Sequence, residues 1–190
     1  TGGLLALAPQ LVAQVTAVDF AGGRIDLGNG RLEIAAGGIT EAAIRTAATT
    51  GRGSGGWNGG AGLISSIAAA AVPGTRSLGY VIAADGAAVI AFATPGDANL
   101  NGQVDVFDLV AIGGGGDYGT GAAAAWATGD VNYDGQANIF DVVGISASGA
   151  YGVGPYHSPA ITAVPEPAFG WPLAIAAGSC LPINAGFRRR

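Results

Sequence analysis

The chain has 190 residues, of which 35 are glycine and only 11% are charged, with eight basic residues, all arginine, against thirteen acidic ones and a net charge of −5. Three of those arginines are Arg188, Arg189 and Arg190 at the end of the sequence, so the remainder offers no basic patch to nucleic acid. A mean hydropathy of +0.43, carried by alanine and other small apolar residues with 7% aromatics, predicts a thin core.

In chain order, segment 4–15 is apolar but lacks the basic start of a signal peptide. The absence of methionine, at position 1 as elsewhere, leads to the expectation of a fragment or processed product. Residues 15–20, 24–27 and 31–34 alternate apolar and polar side chains around Gly22-Gly23 and Gly28-Asn29-Gly30, which predicts short strands joined by glycine turns, as in a β-solenoid rung or a small sandwich. Thr40 is placed to cap a helix over 41–48, with Glu41 at its positive end. A glycine-rich loop over 51–62 carries Trp57, and residues 80–83 and 88–92 are two further candidate strands. The order of these pieces resembles the terminal segment of large secreted β-solenoid or autotransporter-like proteins of planctomycete-type bacteria.

Two copies of one twelve-residue pattern follow, Asp97 to Asp108 and Asp130 to Asp141. Each has an oxygen-bearing side chain at positions 1, 3, 5, 9 and 12 and glycine at position 6, the spacing by which a backbone wraps around a hard cation. Loop 1 would bind through Asp97, Asn99, Asn101, the carbonyl of Gln103, Asp105 through a water, and Asp108. Loop 2 would use Asp130, Asn132, Asp134, the carbonyl of Gln136, Asn138 through a water, and Asp141. An all-oxygen donor set without His or Cys points to calcium, two ions in all. Bare Asx-rich turns would need no metal, but between Asp97 and Asp141 there are seven Asp and no Lys or Arg, a like-charge cluster that two calcium ions would bring from −7 to −3. Asp in place of Glu at position 12 shortens the reach that closes the cage. Loop 2 is expected to bind more tightly, because Asp134 stands at directly coordinating position 5, where loop 1 has neutral Asn101.

The stretch 96–152 resembles a type I dockerin: Gly-Asp-Ala-Asn and Gly-Asp-Val-Asn openings, Phe-Asp-Leu-Val and Phe-Asp-Val-Val helix starts, Trp126 in the connector, and two Tyr-Gly endings. The resemblance implies a pair of calcium loop-helix repeats that plug a secreted protein into a cohesin-bearing scaffold, in an extracellular, polysaccharide-related setting. It places partner-reading positions at Val106 and Phe107 and at Ile139 and Phe140. These are apolar, and a small module has few other large residues to bury, which favours both phenylalanines as core between the repeats; an exposed recognition patch is the other reading. Gly113 to Gly116 predict a short or frayed first helix.

Residues 153–167 read as a Gly/Pro linker. Pro165-Glu166-Pro167, an apolar run over 169–187 interrupted by Pro172, Pro182 and Asn184, and the arginines at 188–190 resemble a degenerate PEP-CTERM sorting tail. That tail implies export to the surface or matrix of a Gram-negative-type bacterium, membrane contact before processing, and an exosortase-type partner. Cys180, the single cysteine, reads as a small hydrophobe.

No enzyme reading emerges. His157 sits in linker composition, Asp26 with Glu33 read as solvent-facing strand positions rather than a glycosidase pair, and Gly51 to Gly56 lack the Lys-Ser/Thr ending of a phosphate loop. The sequence therefore predicts an α+β chain. Residues 1–93 are a small β region with one helix, the end of a larger β domain; 94–152 are an α-helical dockerin-like pair of calcium repeats; 153–190 are linker and tail. The expected role is noncatalytic calcium-dependent attachment to a cohesin-like partner, or else a calcium-rigidified spacer of a surface adhesin.

Overall fold

The computed structural model describes residues 3–156. The expected sorting residues Pro165, Glu166, Pro167, Arg188, Arg189 and Arg190, together with His157 and Cys180, lie outside the described residues.

The chain begins with four short strands, β1 (Leu4–Ala6), β2 (Val12–Val15), β3 (Arg24–Asp26) and β4 (Arg31–Ile34). They alternate between two sheets: β1 pairs with β3 and β2 with β4, both in parallel. Parallel neighbours cannot be joined by a tight hairpin, so each turn carries the chain from one sheet to the other, through Ala8-Pro9-Gln10 after β1 and Gly28-Asn29-Gly30 after β3, and β1 with β2 forms one coil, β3 with β4 the next. This is the stacking of a rung, not of a sandwich built from hairpins.

Helix α1 (Glu41–Arg52) opens on Thr40, whose side chain accepts from the Ala43 N–H, and has Glu41 in its first turn and Arg52 in its last. It runs past the expected stop at 48, because Gly51 is a packing residue: a Cβ there would meet the Leu63 carbonyl oxygen of the strand beneath. That strand, β5 (Gly62–Ile64), adds to β3 in parallel, and α2 (Ser66–Ala70) follows it. Strands β6 (Ser77–Ile82) and β7 (Ala88–Ala93) form an antiparallel hairpin, and β7 closes on β4 to give the order β2-β4-β7-β6. The expected strand over 15–20 is displaced to Val12–Val15, and β1, β5 and α2 were not foreseen; strands of three residues are too short to display a period.

After β7 come α3 (Val106–Gly114), a 3-10 turn (Trp126–Thr128) and α4 (Ile139–Ser148). Here the expected fold class is corrected. Among the described residues the fold is mixed α/β, with seven strands in two sheets outnumbering four α-helices, and α3 and α4 do not build a dockerin-like helical pair. The main packing partner of α3 is the 3-10 turn, which in turn sits on β6. Residues on both sides of position 94 share one hydrophobic cluster, from Leu27, Ile34 and Leu63 to Val104, Trp126 and Ile145.

Gly79 of β6 explains the seating of the C-terminal half. A Cβ there would lie 2.5 Å from the Trp126 ring, so the missing side chain is the socket into which the fully buried indole fits. The Trp126 Nε1–H donates to the Asp97 carbonyl at 2.7 Å, and the Tyr133 hydroxyl donates to the Leu78 carbonyl at 2.7 Å. Trp57, from the predicted glycine-rich loop, is also buried and meets Tyr133 edge-on at 5.6 Å between ring centroids. The physical reason for the correction is therefore aromatic: burying the large rings of Trp126 and Tyr133 against β6 removes much apolar surface from water and seats the connector and loop 2 on the sheet.

Candidate metal centre

Both twelve-residue loops adopt one backbone path. Position 4 is left-handed in each, at Leu100 (φ 59°) and Tyr133 (φ 63°), and so is the glycine of position 6, Gly102 (φ 88°) and Gly135 (φ 93°). Side-chain bonds repeat in step. The first aspartate, Asp97 or Asp130, accepts from the N–H groups of positions 5 and 6: Asn101 and Gly102 at 3.0 and 2.9 Å, Asp134 and Gly135 at 3.1 and 3.0 Å. Asn99 and Asn132 accept from position 5, Asn101 and Asp134 from Gln103 and Gln136. These short Asx turns bind the oxygen-bearing side chains at positions 1, 3 and 5 to the backbone of their own loop.

The end of each loop is the start of a helix. Asp105 and Asn138 are N-caps that accept from the Phe107 and Phe140 N–H groups, and Asp108 and Asp141 return a bond to the cap residue's own N–H, completing a capping box in both copies. The other oxygen of Asp108 accepts from Ala98 and Asn99, and that of Asp141 from Val131 and Asn132. Position 12 is thereby pulled back against positions 2 and 3 of its own loop.

Four of these carboxylates, Asp97, Asp108, Asp130 and Asp141, are buried. Among the described residues the ion pairs are Arg31–Glu33 and Arg45–Glu41, both remote from the loops. Burial pushes the carboxyls of Asp97 and Asp130 up to about 6 and raises Asp108 and Asp141 as well. A carboxylate taken out of water without a countercharge is costly, and either a proton or a cation must compensate it. Among the described residues no group of three or more His, Cys, Asp or Glu stands together as a metal cluster; each loop offers two buried Asp supplemented by Asn amide and backbone carbonyl oxygens. That donor chemistry fits a hard divalent cation such as calcium and does not fit zinc or copper.

The repeats are tied to each other through exchanged contacts. Gly119 N–H donates to the Ala137 carbonyl of loop 2 at 2.8 Å, and Gly152 N–H, at the equivalent Tyr-Gly ending, donates to the Val104 carbonyl of loop 1 at 2.9 Å. Ile112 of α3 packs at Gly129 ahead of loop 2, and Ile145 of α4 at Gly96 ahead of loop 1. Each helix thus buries its isoleucine against the other repeat's loop.

The opposite helix faces are bare. Phe107 is 71% exposed and Phe140 69%, so neither ring is the core between repeats that their size suggested. Val106, Leu109 and Val110 are exposed on α3, and Ile139, Val142 and Val143 at the matching positions of α4. Val106, Phe107, Ile139 and Phe140 were expected as partner-reading positions; Leu109, Val110, Val142 and Val143 extend the same two faces and were missed, although the 33-residue offset pairs them too.

Tyr156 was also missed, since it lies in the segment read as linker. Its hydroxyl donates to Asp97 Oδ2 at 2.5 Å, its N–H bonds to the Gly102 carbonyl, and its ring meets Phe92 and the Arg76 guanidinium. No pattern in Gly-Pro-Tyr announces this. Asp26 and Glu33 do not face one another as a catalytic pair: Asp26 accepts from the Gly28 and Ser66 N–H groups, and Glu33 bonds to Gln14 and Arg31. No helix among the described residues is long and apolar enough to cross a membrane. No protein-family model, curated protein or solved structure matches the chain.

Proposed function

We propose that this chain is a noncatalytic attachment element whose two loops each hold a calcium ion. In loop 1 the ion would draw on Asp97, Asn99, Asn101, the Gln103 carbonyl, Asp105 and Asp108; in loop 2, on Asp130, Asn132, Asp134, the Gln136 carbonyl, Asn138 and Asp141. The observation that carries this reading is the burial of four aspartates that make no ion pair among the described residues, in two loops that share one backbone path. Calcium supplies positive charge and fixes the loops, which hold the first turns of α3 and α4. The exposed pairs Val106–Phe107 and Ile139–Phe140 then form two equivalent apolar faces suited to a cohesin-like protein partner in an extracellular assembly. Large exposed apolar patches are characteristic of interaction sites. Export and sorting through the tail rest on the sequence motif alone.

Calorimetric titration with calcium, followed by capture of purified cohesin domains with and without chelator, tests both halves. The expected result is two binding events and capture only with calcium. Absence of calcium binding would end the proposal.

A second reading, a calcium-rigidified spacer without a partner, is favoured by a different observation: Trp126 and Tyr133 lock the loops onto β6. It differs in one outcome, since calcium would bind while no cohesin is captured and Phe107→Ala/Phe140→Ala changes nothing but the surface.

A further inference from the structure

The parallel coils end differently at their two ends. On one side, β5 lies under α1, and β4 is closed by the antiparallel hairpin of β7 and β6. On the other side, β1 and β2 are edge strands, and no strand among the described residues pairs with their outer edges.

The step from coil to coil is regular. Arg24 N–H donates to the Gly3 carbonyl and Leu7 N–H to the Asp26 carbonyl, both at 2.9 Å; one step further, Gly62 N–H donates to Gly23 and Leu27 N–H to Ile64 at 2.8 and 3.0 Å. The register Leu4↔Arg24 repeats the sequence as well, since Gly2-Gly3 precede Leu4 as Gly22-Gly23 precede Arg24. Because peptide groups alternate in direction along a strand, the N–H and C=O groups of Leu4 and Ala6 point away from β3.

Side chains tell the same story. Leu5, Ile25 and Leu63 form one column across the first sheet. Leu63 is wholly buried, Ile25 partly, and Leu5 is 58% exposed. In the second sheet, Val15 and Ala13 are partly exposed above Ile34 and Leu32, which are buried. Leu4 and Leu11 are exposed beside them. Protected sheet edges carry charge, proline or a bulge; here β1 and β2 contain no charged residue and no proline.

We propose that the β1–β2 end is a stacking face for one more parallel coil of the same kind, supplied by polypeptide on the N-terminal side of residue 1. Its strands would run parallel to β1 and β2, with an aliphatic side chain over Leu5 and small or branched ones over Ala13 and Val15. Upstream polypeptide matches this face better than a second copy does. Head-to-tail stacking is blocked because the opposite end is covered by α1 and the hairpin, and a twofold-related copy would set β1 against β1 in the antiparallel sense, losing the coil register. The inference is independent of calcium binding.

The test lengthens the full chain by inserting a second copy of residues 4–23 between Gly3 and Leu4. Hydrogen exchange, thermal melting and mass in solution are compared for the original and lengthened chains, both with calcium. The lengthened chain is expected to be monomeric, to melt several degrees higher, and to exchange the amides of the original 4–15 segment about tenfold or more slowly, as for an edge that has become an interior strand. The same insert with lysine at the copies of Leu5 and Val15 is expected to lose that gain, whereas Leu5→Lys in the original chain leaves its melting temperature unchanged. Unslowed exchange or failure to fold in the lengthened chain overturns the proposal. So does an original chain that is already a dimer with slow exchange at 4–15, which would assign the face to a second copy.

Discussion

Loop 1 and loop 2 share a backbone path and a hydrogen-bond pattern, yet they are fastened to the sheet by different groups. Loop 1 is held from outside its own repeat: the Trp126 indole bonds to the Asp97 carbonyl, and the Tyr156 hydroxyl to the Asp97 carboxylate. Loop 2 is held by its own position 4, since Tyr133 is buried and bonds to Leu78 on β6. The position-5 residues differ too, Asn101 against Asp134. Identical local conformation therefore does not make identical sites: loop 1 has an additional donor on its first aspartate, and of the three carboxylates in each loop, loop 2 has one at position 5 where loop 1 has it at position 9.

The largest effect is expected where the fastening is cut. Trp126→Ala empties the socket at Gly79 and should cost about 3–5 kcal/mol, whereas Tyr133→Phe keeps the ring and loses one bond to a buried carbonyl, about 1 kcal/mol. Chemical denaturation of the calcium-loaded variants measures both; equal losses would mean that loop 2 depends on its hydroxyl as heavily as loop 1 on its indole. Because both halves share one core, each variant should unfold in a single transition.

Calcium affinity sharpens the contrast next. Asp130→Ala should abolish the tighter of two binding events and Asp97→Ala the weaker. Asn101→Asp, which gives loop 1 the charge count of loop 2 at position 5, should raise loop 1 affinity about tenfold, as ligand charge tunes such sites. Titration calorimetry reads all three, and a tighter loop 1 in the unaltered chain would reverse the ranking.

The third comparison is in pH. In the metal-free protein Asp97 and Asp130 have carboxyls raised to about 6 by burial, above their unfolded value near 4. The native state then holds more protons than the unfolded one, so the stability these groups contribute is fully present below about pH 4 and is lost as pH rises through about 6. With chelator, the melting temperature should fall between pH 4 and 7 on this account; with calcium it should not. The Tyr156 bond pulls Asp97 downward against burial, so Tyr156→Phe should shift the Asp97 titration upward and leave Asp130 in place, which carboxyl NMR would resolve.

The smallest effect is expected at the bare helix faces. Phe107→Ala and Phe140→Ala should each change stability by no more than about 0.5 kcal/mol, the range of exposed substitutions, and by the same amount in both repeats. A loss of several kcal/mol in thermal or chemical denaturation would show that the rings are buried in solution.

What the sequence determined by itself is local. The positions of the two loops, the cap at Thr40, the strands around 24–26, 31–34 and 88–92, and the kinship of the two repeats all follow from residue types a few positions apart, because turn chemistry and helix capping act over that distance. The outward face of α3 and α4 did not follow. Val106-Phe107-Asp108-Leu109-Val110-Ala111-Ile112 is apolar almost all round, so its period does not say whether Phe107 or Ile112 turns inward. Packing decided it, since the groove beside Gly129 admits the isoleucine. Likewise, nothing local distinguishes a parallel coil from a sandwich when strands are three or four residues long, and nothing near Gly79 announces Trp126. Those choices were made by contacts between residues tens of positions apart, where burying a large ring against a bare glycine outweighs the weak preferences of short, glycine-rich segments.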